Sequence, residues 1–289
     1  MIANLADCTV IVVTYNSAHC LPSLATALQT VPNVTLVDNG SSDDTLGQAA
    51  ALLPHAHLLA NGRNLGFGTA NNRGLADVAT PYALLLNPDC VVTPEDLARL
   101  VQIARDYPDA AIFAPQLTRR DQSLEVSYRW PDNRWRSRGP EASGPCCVGF
   151  ATGAALLLNM SVMRQRVGFF DESFFLYYED EDLCQRVFDH GLQIIVLPEV
   201  RLTHLSRGSV KGRHPLRSEF IRGYHHAQSK LLFEHKHVST ASASRLRWKT
   251  LGLALMTLVP RLLLPQPKYL ARLLGRIVGL CRGYPLPRS

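Results

Sequence analysis

Four short polar clusters in the first ninety residues are the part of this sequence best suited to chemistry. Each cluster follows an apolar run and is rich in Asn, Asp, Ser, Thr and Gly. Any one of them alone would be an ordinary turn or helix N-terminus, because these residue types favour both. All four on one rim would instead make a polar site that contains carboxylates. The clusters are Thr14-Tyr15-Asn16-Ser17, Asp38 to Thr45, Asn61 to Gly68 and Asn87-Pro88-Asp89.

Three further features are candidates for metal binding and proton transfer. Asp89 ends an apolar run, where a carboxylate can bind Mg²⁺ or Mn²⁺ while phosphates of a ligand supply the other oxygens. The acidic run from Glu179 to Asp182 opens a predicted helix beside aromatic residues, and a carboxylate there can serve as a general base. His204 can bind a metal as neutral imidazole. The alternatives are a turn aspartate, acidic residues that complement a helix dipole, and a structural histidine.

Several classes of protein lose support from motifs that the sequence lacks. Neither G-x-G-x-x-G nor G-x-x-x-x-G-K-[ST] occurs in the glycine-rich segment, which argues against NAD binding and P-loop chemistry. The seven cysteines include no C-x-x-C pair, which argues against a zinc knuckle and favours a reducing compartment. The adjacent Cys146 and Cys147 are given no role. The N-terminal segment shows no signal peptide, so we expect a cytoplasmic protein.

The elements that must position these groups alternate along the chain. Runs that are apolar on both faces indicate buried parallel strands, and helical stretches lie between them. This alternation predicts an α/β fold with a doubly wound, mainly parallel sheet, in which ligands bind at the carboxyl ends of the strands. Residues 117–147, rich in Arg, Pro, Ser and Gly, predict a mobile loop or lid. The predicted strands are 10–13, 34–37, 58–59, 82–86, 154–158 and 194–197, and the predicted helices are 19–30, 43–53, 69–78, 94–106 and 179–190.

The charge of the chain is divided unevenly along its length. Residues 1–204 carry 14 Lys and Arg against 22 Asp and Glu, a net charge of −8. Residues 205–289 carry 16 Lys and Arg against only Glu219 and Glu234, a net charge of +14. The two parts therefore meet different partners.

The basic tail from about residue 216 is predicted to be helical and to lie on a membrane surface. Its most apolar stretch, 251–264, is interrupted by Pro260 and Arg261 and is shorter than the roughly 20 residues that a spanning helix needs. Interleaved apolar and basic residues are typical of a helix that lies on anionic lipid. Nucleic acid is the alternative partner for so many cations, but it does not need the leucine-rich stripes, so we expect no nucleic acid.

Taken in order over residues 9–209, the motifs resemble those of the family 2 glycosyltransferases of the GT-A fold. The resemblance is greatest to the rhamnosyltransferase-like branch, which builds bacterial surface polysaccharides. It implies a GT-A catalytic domain over 1–215 and a helical, basic, membrane-associating extension over 216–289. The motifs are Val13 to Asn16, Val37 to Asp43, Asn64 to Gly68, Asn71 to Gly74, Leu86 to Asp89, Thr152 to Ala154, Gly168 to Glu172, Tyr178 to Leu183 and Thr203-His204.

The resemblance implies a role for each matching residue. Asp89 would be the surviving carboxylate of the family's D-x-D motif, and His204 a later ligand of the same Mg²⁺ or Mn²⁺. Asp180 would be the catalytic base, which deprotonates the acceptor hydroxyl for an inverting attack on the anomeric carbon. Tyr178, Glu179 and Asp182 would lie on the acceptor side. The nucleotide-sugar donor would be bound by Thr14, Tyr15, Asn16, Asp38, Asn39, Asn64, Gly66, Asn72, Asn87, Thr152 and Gly153.

Two departures from the family pattern qualify these implications. Asn87 occupies the first D-x-D position, which removes one charge but keeps an oxygen near the metal. The Gln of the processive synthases' Q-x-x-R-W motif is missing, because the nearest string is Ser244 to Trp248. We therefore expect one sugar per transfer event, with a lipid-linked or saccharide acceptor, on the inner face of the cell membrane.

The donor and the oligomeric state remain open at this point. A deoxyhexose such as rhamnose is favoured, while a UDP-hexose or UDP-N-acetylhexosamine is the alternative within the same fold. A non-catalytic donor-binding or membrane-scaffold subunit is an alternative of another class, and a homodimer is not excluded. The carboxylates Asp38, Asp89 and Asp180, together with His204, favour a working enzyme over that alternative.

Overall fold

The computed structural model describes residues 5–129, 141–205, 214–263 and 266–284, and the chain divides into two compact units. Unit 1 comprises Met1–Leu65, Thr69–Phe170 and Leu183–Lys211. Unit 2 comprises Gly66–Gly68, Asp171–Asp182 and Gly212–Ser289. Unit 2 thus joins the basic tail to two short segments that come from within the first two thirds of the chain.

Unit 1 contains a ten-stranded mixed sheet. The main strand order is β3-β2-β1-β4-β11-β6-β12-β5, with β7 paired to β6 and β9 paired to β12. Strands β8 and β10 form a separate two-stranded sheet. The strands are β1 (Cys8–Thr14), β2 (Val34–Asp38), β3 (His57–Ala60), β4 (Tyr82–Leu86), β5 (Cys90–Val91), β6 (Ile112–Thr118), β7 (Leu124–Glu125), β8 (Tyr128–Arg129), β9 (Cys146–Val148), β10 (Phe150–Ala151), β11 (Ala155–Asn159) and β12 (Ile194–His204).

The pairing of these strands fixes which loops meet at one edge. Strands β3, β2, β1 and β4 run parallel, so the loops that follow them leave from the same edge. Strand β11 runs antiparallel between β4 and β6, while β12 runs parallel to β6. The register of β12 shifts between Leu197 and Arg201, and its last residues pair with β5. This pairing places His204 opposite Cys90.

Ten α-helices occur among the described residues. Helix α4 begins with a capping box, in which the Thr93 side chain accepts from the Asp96 amide and the Asp96 side chain accepts from the Thr93 amide. Short α5 continues as a π-helical turn over Met163–Val167. The helices are α1 (Leu21–Leu28), α2 (Thr45–Leu52), α3 (Phe67–Leu75), α4 (Pro94–Ala104), α5 (Met160–Val162), α6 (Glu179–Asp189), α7 (Pro215–His237), α8 (Thr240–Met256), α9 (Leu258–Leu263) and α10 (Pro267–Arg282).

The predicted loop over 117–147 was wrong for part of its length. Strand β6 continues to Thr118, and β7, β8 and β9 all begin within the stretch. Short strands of two or three residues leave little periodicity in a sequence, which is why the composition outweighed them in our prediction. Residues 130–140, which include both tryptophans of the predicted lid, lie outside the described residues.

The hydrophobic core of unit 1 lies against the sheet. Val10, Leu36, Leu84 and Leu157 from four different strands are 1% exposed or less and belong to one cluster. Strands buried on both faces need such continuous apolar runs, as the sequence predicted.

Unit 2 is built from long helices, which pack backbone against backbone at glycines. A Cβ atom at Gly223 of α7 would collide with the carbonyl oxygen of Arg272 in α10, and one at Gly275 would collide with that of Phe220. Helices α8 and α9 carry large apolar side chains that are exposed to solvent, including Met256 at 76% and Leu263 at 80%. Within the described part of the chain, no helix combines the length and the apolar character that crossing a membrane would require.

Gly74 is the place where α3 approaches the sheet most closely, and its replacement tests that packing. A Cβ atom at Gly74 would lie 2.7 Å from Cγ2 of Ile11 and 3.1 Å from Cγ2 of Val37. Both neighbours are stiff β-branched side chains, so we expect Gly74→Ala to lower the free energy of unfolding by about 1–2 kcal/mol. Urea unfolding followed by circular dichroism measures the change.

Gly252→Ala is the matched control, because Gly252 lies inside α8 with no described atom within 4 Å of its added Cβ. Alanine favours helix over glycine, so this variant should be unchanged or more stable by up to about 1 kcal/mol. A Gly74→Ala protein as stable as the wild type would contradict the close packing of α3 on β1 and β2.

Candidate active site

Asp38 is the buried carboxylate around which the first two polar loops of unit 1 are organised. It ends β2 directly beside Thr14, the last residue of β1. Its side chain is held by the amides of Gly40 at 3.2 Å and Ser41 at 3.0 Å, and the Ser41 hydroxyl also donates to it. The Thr14 hydroxyl lies 3.4 Å from Oδ1 of Asp38. These contacts fix the carboxylate in one orientation at the edge of the sheet.

Asn16 ties the loop after β1 to the loop after β2. Its Oδ1 accepts a hydrogen bond of 2.7 Å from the amide of Ser42, and its own amide donates to the Ser41 hydroxyl at 2.9 Å. Asn16 has φ of 53°, a left-handed conformation that asparagine tolerates better than most residues. The neighbouring Tyr15 amide donates to the Ser17 hydroxyl at 3.1 Å. The structure therefore brings the predicted residues Thr14, Tyr15 and Asn16 to Asp38.

Asn39 connects the same edge to the loop after β3. Its Nδ2 donates to Oδ1 of Asn64 at 3.0 Å, and its Oδ1 accepts from Nδ2 of Asn61 at 3.0 Å and from the amide of Leu65 at 2.9 Å. Gly40 allows the close approach of this loop, because a Cβ atom there would lie 2.6 Å from the backbone of Arg63. The contacts of Asn39 and Asn64 hold the three loops together.

Two other residues predicted to bind the donor, Asn72 and Gly66, make contacts of a different kind. Asn72 in α3 forms a pair of hydrogen bonds with the backbone of Phe170, donating to its carbonyl at 2.9 Å and accepting from its amide at 3.0 Å. Gly66 belongs to unit 2, where a Cβ atom would collide with the carbonyl oxygen of Phe175. The role of both in donor binding stays a prediction.

Asn87, Thr152 and Gly153 come together around the end of β4. The Asn87 amide donates to the carbonyl of Ala154 at 2.9 Å, and the Thr152 amide donates to the carbonyl of Ser127 at 2.9 Å. Because β11 starts just after Gly153 and pairs with β4, these residues lie next to the Asn87-Pro88-Asp89 turn. The structure therefore brings these three residues together, and their role in donor binding stays a prediction.

Asp89 and His204 are distant in sequence but adjacent in unit 1. The Leu205 amide donates to the Asp89 carbonyl at 3.0 Å, which fixes the two backbones side by side. Nε2 of His204 lies 3.7 Å from Oδ1 of Asp89, and its Nδ1 lies 3.6 Å from Oε2 of Glu125. The Asp89 side chain is only 1% exposed, whereas His204 is 15% exposed and Glu125 25%. Carboxylates thus lie on both sides of the imidazole.

The distance between Asp89 and His204 fits two ligands of one divalent ion. At 3.7 Å the two atoms are too far apart for a hydrogen bond, yet closer than the sum of two metal–ligand bonds of about 2.1 Å each. Among the described residues, no group of three or more His, Cys, Asp and Glu side chains could hold a metal by itself. A hard cation that takes part of its ligands from phosphates and water needs only one or two protein ligands.

Glu125 is the residue of this group that the sequence analysis missed. It lies in the two-residue strand β7, inside the stretch predicted to be a loop. No motif or periodicity surrounds it, so only the pairing of β7 with β6 shows that it lies beside His204.

The predicted catalytic base, Asp180, lies in the first turn of α6 within unit 2. Its Oδ1 accepts a hydrogen bond of 3.0 Å from the Glu181 amide. The two residues before the helix, Tyr177 and Tyr178, have φ of 69° and 67°. Left-handed conformations of bulky residues cost free energy and are concentrated at functional sites. This turn sets the direction in which the acidic run enters α6.

Glu179 and Asp180 have different environments although they are neighbours. Glu179 is buried, and its Oε2 has no hydrogen-bond partner within the described residues. Burial, followed by the charge of Asp180, raises the pKa of Glu179 well above its usual range. Asp180 is only partly buried. Of the pair, Asp180 is therefore the carboxylate better placed to reach a ligand.

Asp182 is a buried ion-pair partner within unit 2. Its side chain is 0% exposed, and its Oδ1 lies 2.7 Å from Nζ of Lys236 and 2.8 Å from Nε2 of His237. Lys236 also contacts Asp171 at 2.6 Å. These contacts tie the start of α6 to the end of α7. The predicted place of Asp182 on the acceptor side stays a prediction.

Comparison with known proteins agrees with the fold and the motifs. A family model described as glycosyl transferase family 2 matches residues 9–165. An N-acetylglucosaminyl-diphospho-decaprenol L-rhamnosyltransferase of Mycobacterium tuberculosis is 30% identical over 280 aligned positions, covering 84% of this chain and 89% of the relative. The dTDP-rhamnosyl transferase RfbF of Shigella flexneri is 25% identical, covering 79% of this chain and 80% of its own.

Solved structures with low sequence identity share the fold. A mannosyltransferase from Pyrobaculum calidifontis, in complex with GDP-Man and Mn²⁺, superposes with a TM-score of 0.55 at 16% identity, covering 96% of this chain and 86% of its own. GalNAc-T7 with UDP, GalNAc and Mn²⁺ gives a TM-score of 0.53 at 14% identity, covering 78% of this chain and 50% of its own. Because the family model spans more than half of the 289 residues, the chain belongs to glycosyl transferase family 2 and is a rhamnosyltransferase-like glycosyltransferase of the GT-A fold.

Proposed function

We propose that this glycosyltransferase moves a deoxyhexose, with rhamnose favoured, from a nucleoside-diphosphate donor to an acceptor hydroxyl, with inversion and with a divalent metal. The observation that carries the proposal is the approach of Asp89 and His204 to 3.7 Å in unit 1, on the same sheet as the ordered loops around Asp38. Two relatives that act as rhamnosyltransferases support the choice of sugar.

In this proposal the loops around Asp38 bind the nucleoside. Asp38 and the tethered loop of Tyr15 and Asn16 offer carboxylate and amide oxygens in fixed positions, which suit the hydroxyl and amide groups of a ribose and a base. Asn87, Thr152 and Gly153 contact the sugar and diphosphate near Asp89. A UDP-hexose or UDP-N-acetylhexosamine would contact the same residues. The donor screen described below therefore distinguishes these donors from a deoxyhexose donor.

Asp89 and His204 hold the metal in this proposal, and Glu125 orients the imidazole from its other nitrogen. When bound, Mg²⁺ or Mn²⁺ supplies positive charge that stabilises the departing diphosphate. Asp180 accepts the proton of the acceptor hydroxyl. The acceptor oxygen then bonds to the anomeric carbon as the bond from that carbon to the diphosphate oxygen breaks with its electron pair, which inverts the anomeric centre in a single displacement.

The acceptor in this proposal is a sugar linked to a lipid, and the enzyme reaches it at the inner surface of a cell membrane. The Mycobacterium tuberculosis relative is named for a decaprenol-linked diphosphate substrate, which supports a lipid-linked acceptor. Exposed Trp248, Met256, Val259 and Leu263 of α8 and α9 supply apolar side chains, and basic residues are interspersed among them. Such a surface inserts shallowly into the boundary between head groups and acyl chains.

Removal of the proposed base tests the reaction. We expect Asp180→Asn to lower kcat for transfer by about 10²- to 10⁴-fold, the usual contribution of a general base, while donor binding measured by thermal shift is retained. Glu181→Gln removes the same charge from the next position of the acidic run and should keep at least a third of the activity. Equal losses in both variants would refute Asp180 as the base.

A donor screen tests the metal site and the sugar together. The protein is heated with dTDP-rhamnose, UDP-glucose, UDP-N-acetylglucosamine or GDP-mannose, each with and without Mn²⁺, because a ligand that binds only the folded state raises Tm. We expect the largest metal-dependent rise for dTDP-rhamnose, and we expect Asp89→Asn and His204→Gln to abolish it. Asp109→Asn, at an exposed position, is the control. A metal-independent rise that survives Asp89→Asn would remove Asp89 from the metal site.

Vesicle binding tests the proposed membrane surface. Each large apolar side chain that enters lipid contributes about 1.5–3 kcal/mol, so we expect Met256→Ser with Leu263→Ser to weaken cosedimentation with phosphatidylglycerol vesicles by at least tenfold. Leu52→Ser, a 42% exposed position of α2, is the control for loss of a surface leucine. Unchanged sedimentation of the double variant would exclude these helices as the membrane contact.

A further inference from the structure

Helices α7 and α10 of unit 2 carry cationic side chains near the place where their backbones meet. Gly223 and Gly275 let the two backbones approach so closely that a Cβ atom at either position would collide with a carbonyl oxygen of the other helix. A Cβ at Gly223 would also lie 3.0 Å from the amide nitrogen of Arg276. Arg222 and Arg272 contact the same carboxylate, Glu219, while Arg272, Arg276 and Lys230 all act electrostatically on His226. We call these four residues the basic cluster.

The basic cluster holds more positive charge than its protein partners neutralise. Glu219 contacts two of its members, with Nη1 of Arg222 at 2.9 Å and Nε of Arg272 at 3.8 Å. Within the described residues, Arg276 and Lys230 form no side-chain hydrogen bond or ion pair. The tail contains only one other acidic residue, Glu234, which accepts a hydrogen bond from Ser242. Among the described residues, Glu219 is therefore the one carboxylate that forms ion pairs with the basic cluster.

His226 lies near three of these cations, and their charges contribute to the lowered pKa of its imidazole. Burial, followed by the charges of Arg276, Lys230 and Arg272, lowers the pKa of its imidazole to about 4. The ring is consequently neutral at physiological pH and adds no charge of its own.

The basic cluster adjoins the turn that leads to the proposed base. The Tyr177 ring packs edge-on against His226 at a centroid distance of 5.5 Å. Burial raises the pKa of the Tyr177 hydroxyl, and the charges of Arg222 and Arg272 oppose that rise. The charge of Glu179, the residue before Asp180, adds to the rise in the pKa of the same hydroxyl. Arg222 and Arg272 remain 25% and 33% exposed, so a ligand can reach them.

We propose that the basic cluster binds the diphosphate of a polyprenyl-diphosphate-linked acceptor. Guanidinium groups bind phosphate oxygens with paired hydrogen bonds, and several of them together match a diphosphate. In such an acceptor the diphosphate is bonded directly to the sugar, so its capture near Tyr177 presents that sugar to Asp180. This assignment rests on the proposed function, because it requires Asp180 to act on an acceptor hydroxyl.

Binding of farnesyl diphosphate tests the assignment without any turnover. The full chain is titrated in EDTA, so that a metal in unit 1 does not attract the probe, and farnesol is titrated in parallel as the uncharged analogue. We expect farnesyl diphosphate to bind at least tenfold more tightly than farnesol. Arg276→Gln and Arg272→Gln should each weaken that binding by about tenfold or more, as expected for lost charged hydrogen bonds. Arg245→Gln, at an exposed position of α8, is the control and should change it less than twofold.

Vesicles of phosphatidylglycerol separate this site from general attraction to anionic lipid. We expect Arg276→Gln and Arg245→Gln to reduce vesicle binding to the same small extent, because both remove one charge from a basic surface. If Arg276→Gln and Arg245→Gln weaken farnesyl diphosphate equally, or if farnesol binds as tightly, the diphosphate site is refuted. The Mn²⁺-dependent rise in Tm with donor is measured on the same variants. Its retention would show that the proposed function stands even where the diphosphate site fails.

Discussion

The parallel pairing of β1 with β2 and β4 is the constraint on which the rest of unit 1 depends. Parallel strands must all end at one edge, so the segments after them are forced into the same neighbourhood. Thr14 and Asp38, the last residues of β1 and β2, are paired directly with each other as a result. The hydrogen bonds of Asn16 follow from it, because the loops after β1 and β2 would otherwise be far apart. Those of Asn39 follow in the same way from the parallel pairing of β2 with β3.

The carboxylates of this protein differ in burial and in partners, and these differences determine what each can do. Asp38 is buried and satisfied by backbone amides and a hydroxyl, so it is a rigid acceptor of hydrogen bonds. Asp182 is buried and paired with two basic side chains, so it stabilises the helices around it. Glu179 is buried with one oxygen that lacks a hydrogen bond within the described residues, and its pKa is raised. Asp180 differs from all three because it is partly exposed, and this is the physical reason for proposing it as the catalytic base.

Local patterns made the longer helices and most of the longer strands of unit 1 predictable, whereas β6, the strands of two or three residues and the contacts between distant segments were not predicted. The run Tyr82–Leu86 was confirmed residue for residue, and the acidic run does begin a helix at Glu179. Asp89 and His204 were chosen through motifs, and only the pairing of β5 with β12 shows why they meet. Glu125 carries no local signal. The partners of Asp182 lie more than fifty residues away in α7, beyond the reach of any periodicity.

The glycines at the crossing of α7 and α10 separate geometry from charge. Because the two backbones meet directly at Gly223 and Gly275, the side chains that flank these glycines can change while the close approach at the glycines is kept. Such a protein can replace one arginine at a time while the close approach of α7 and α10 is kept. The helices of unit 2 therefore form a surface whose charge can evolve while the crossing of the two helices stays the same.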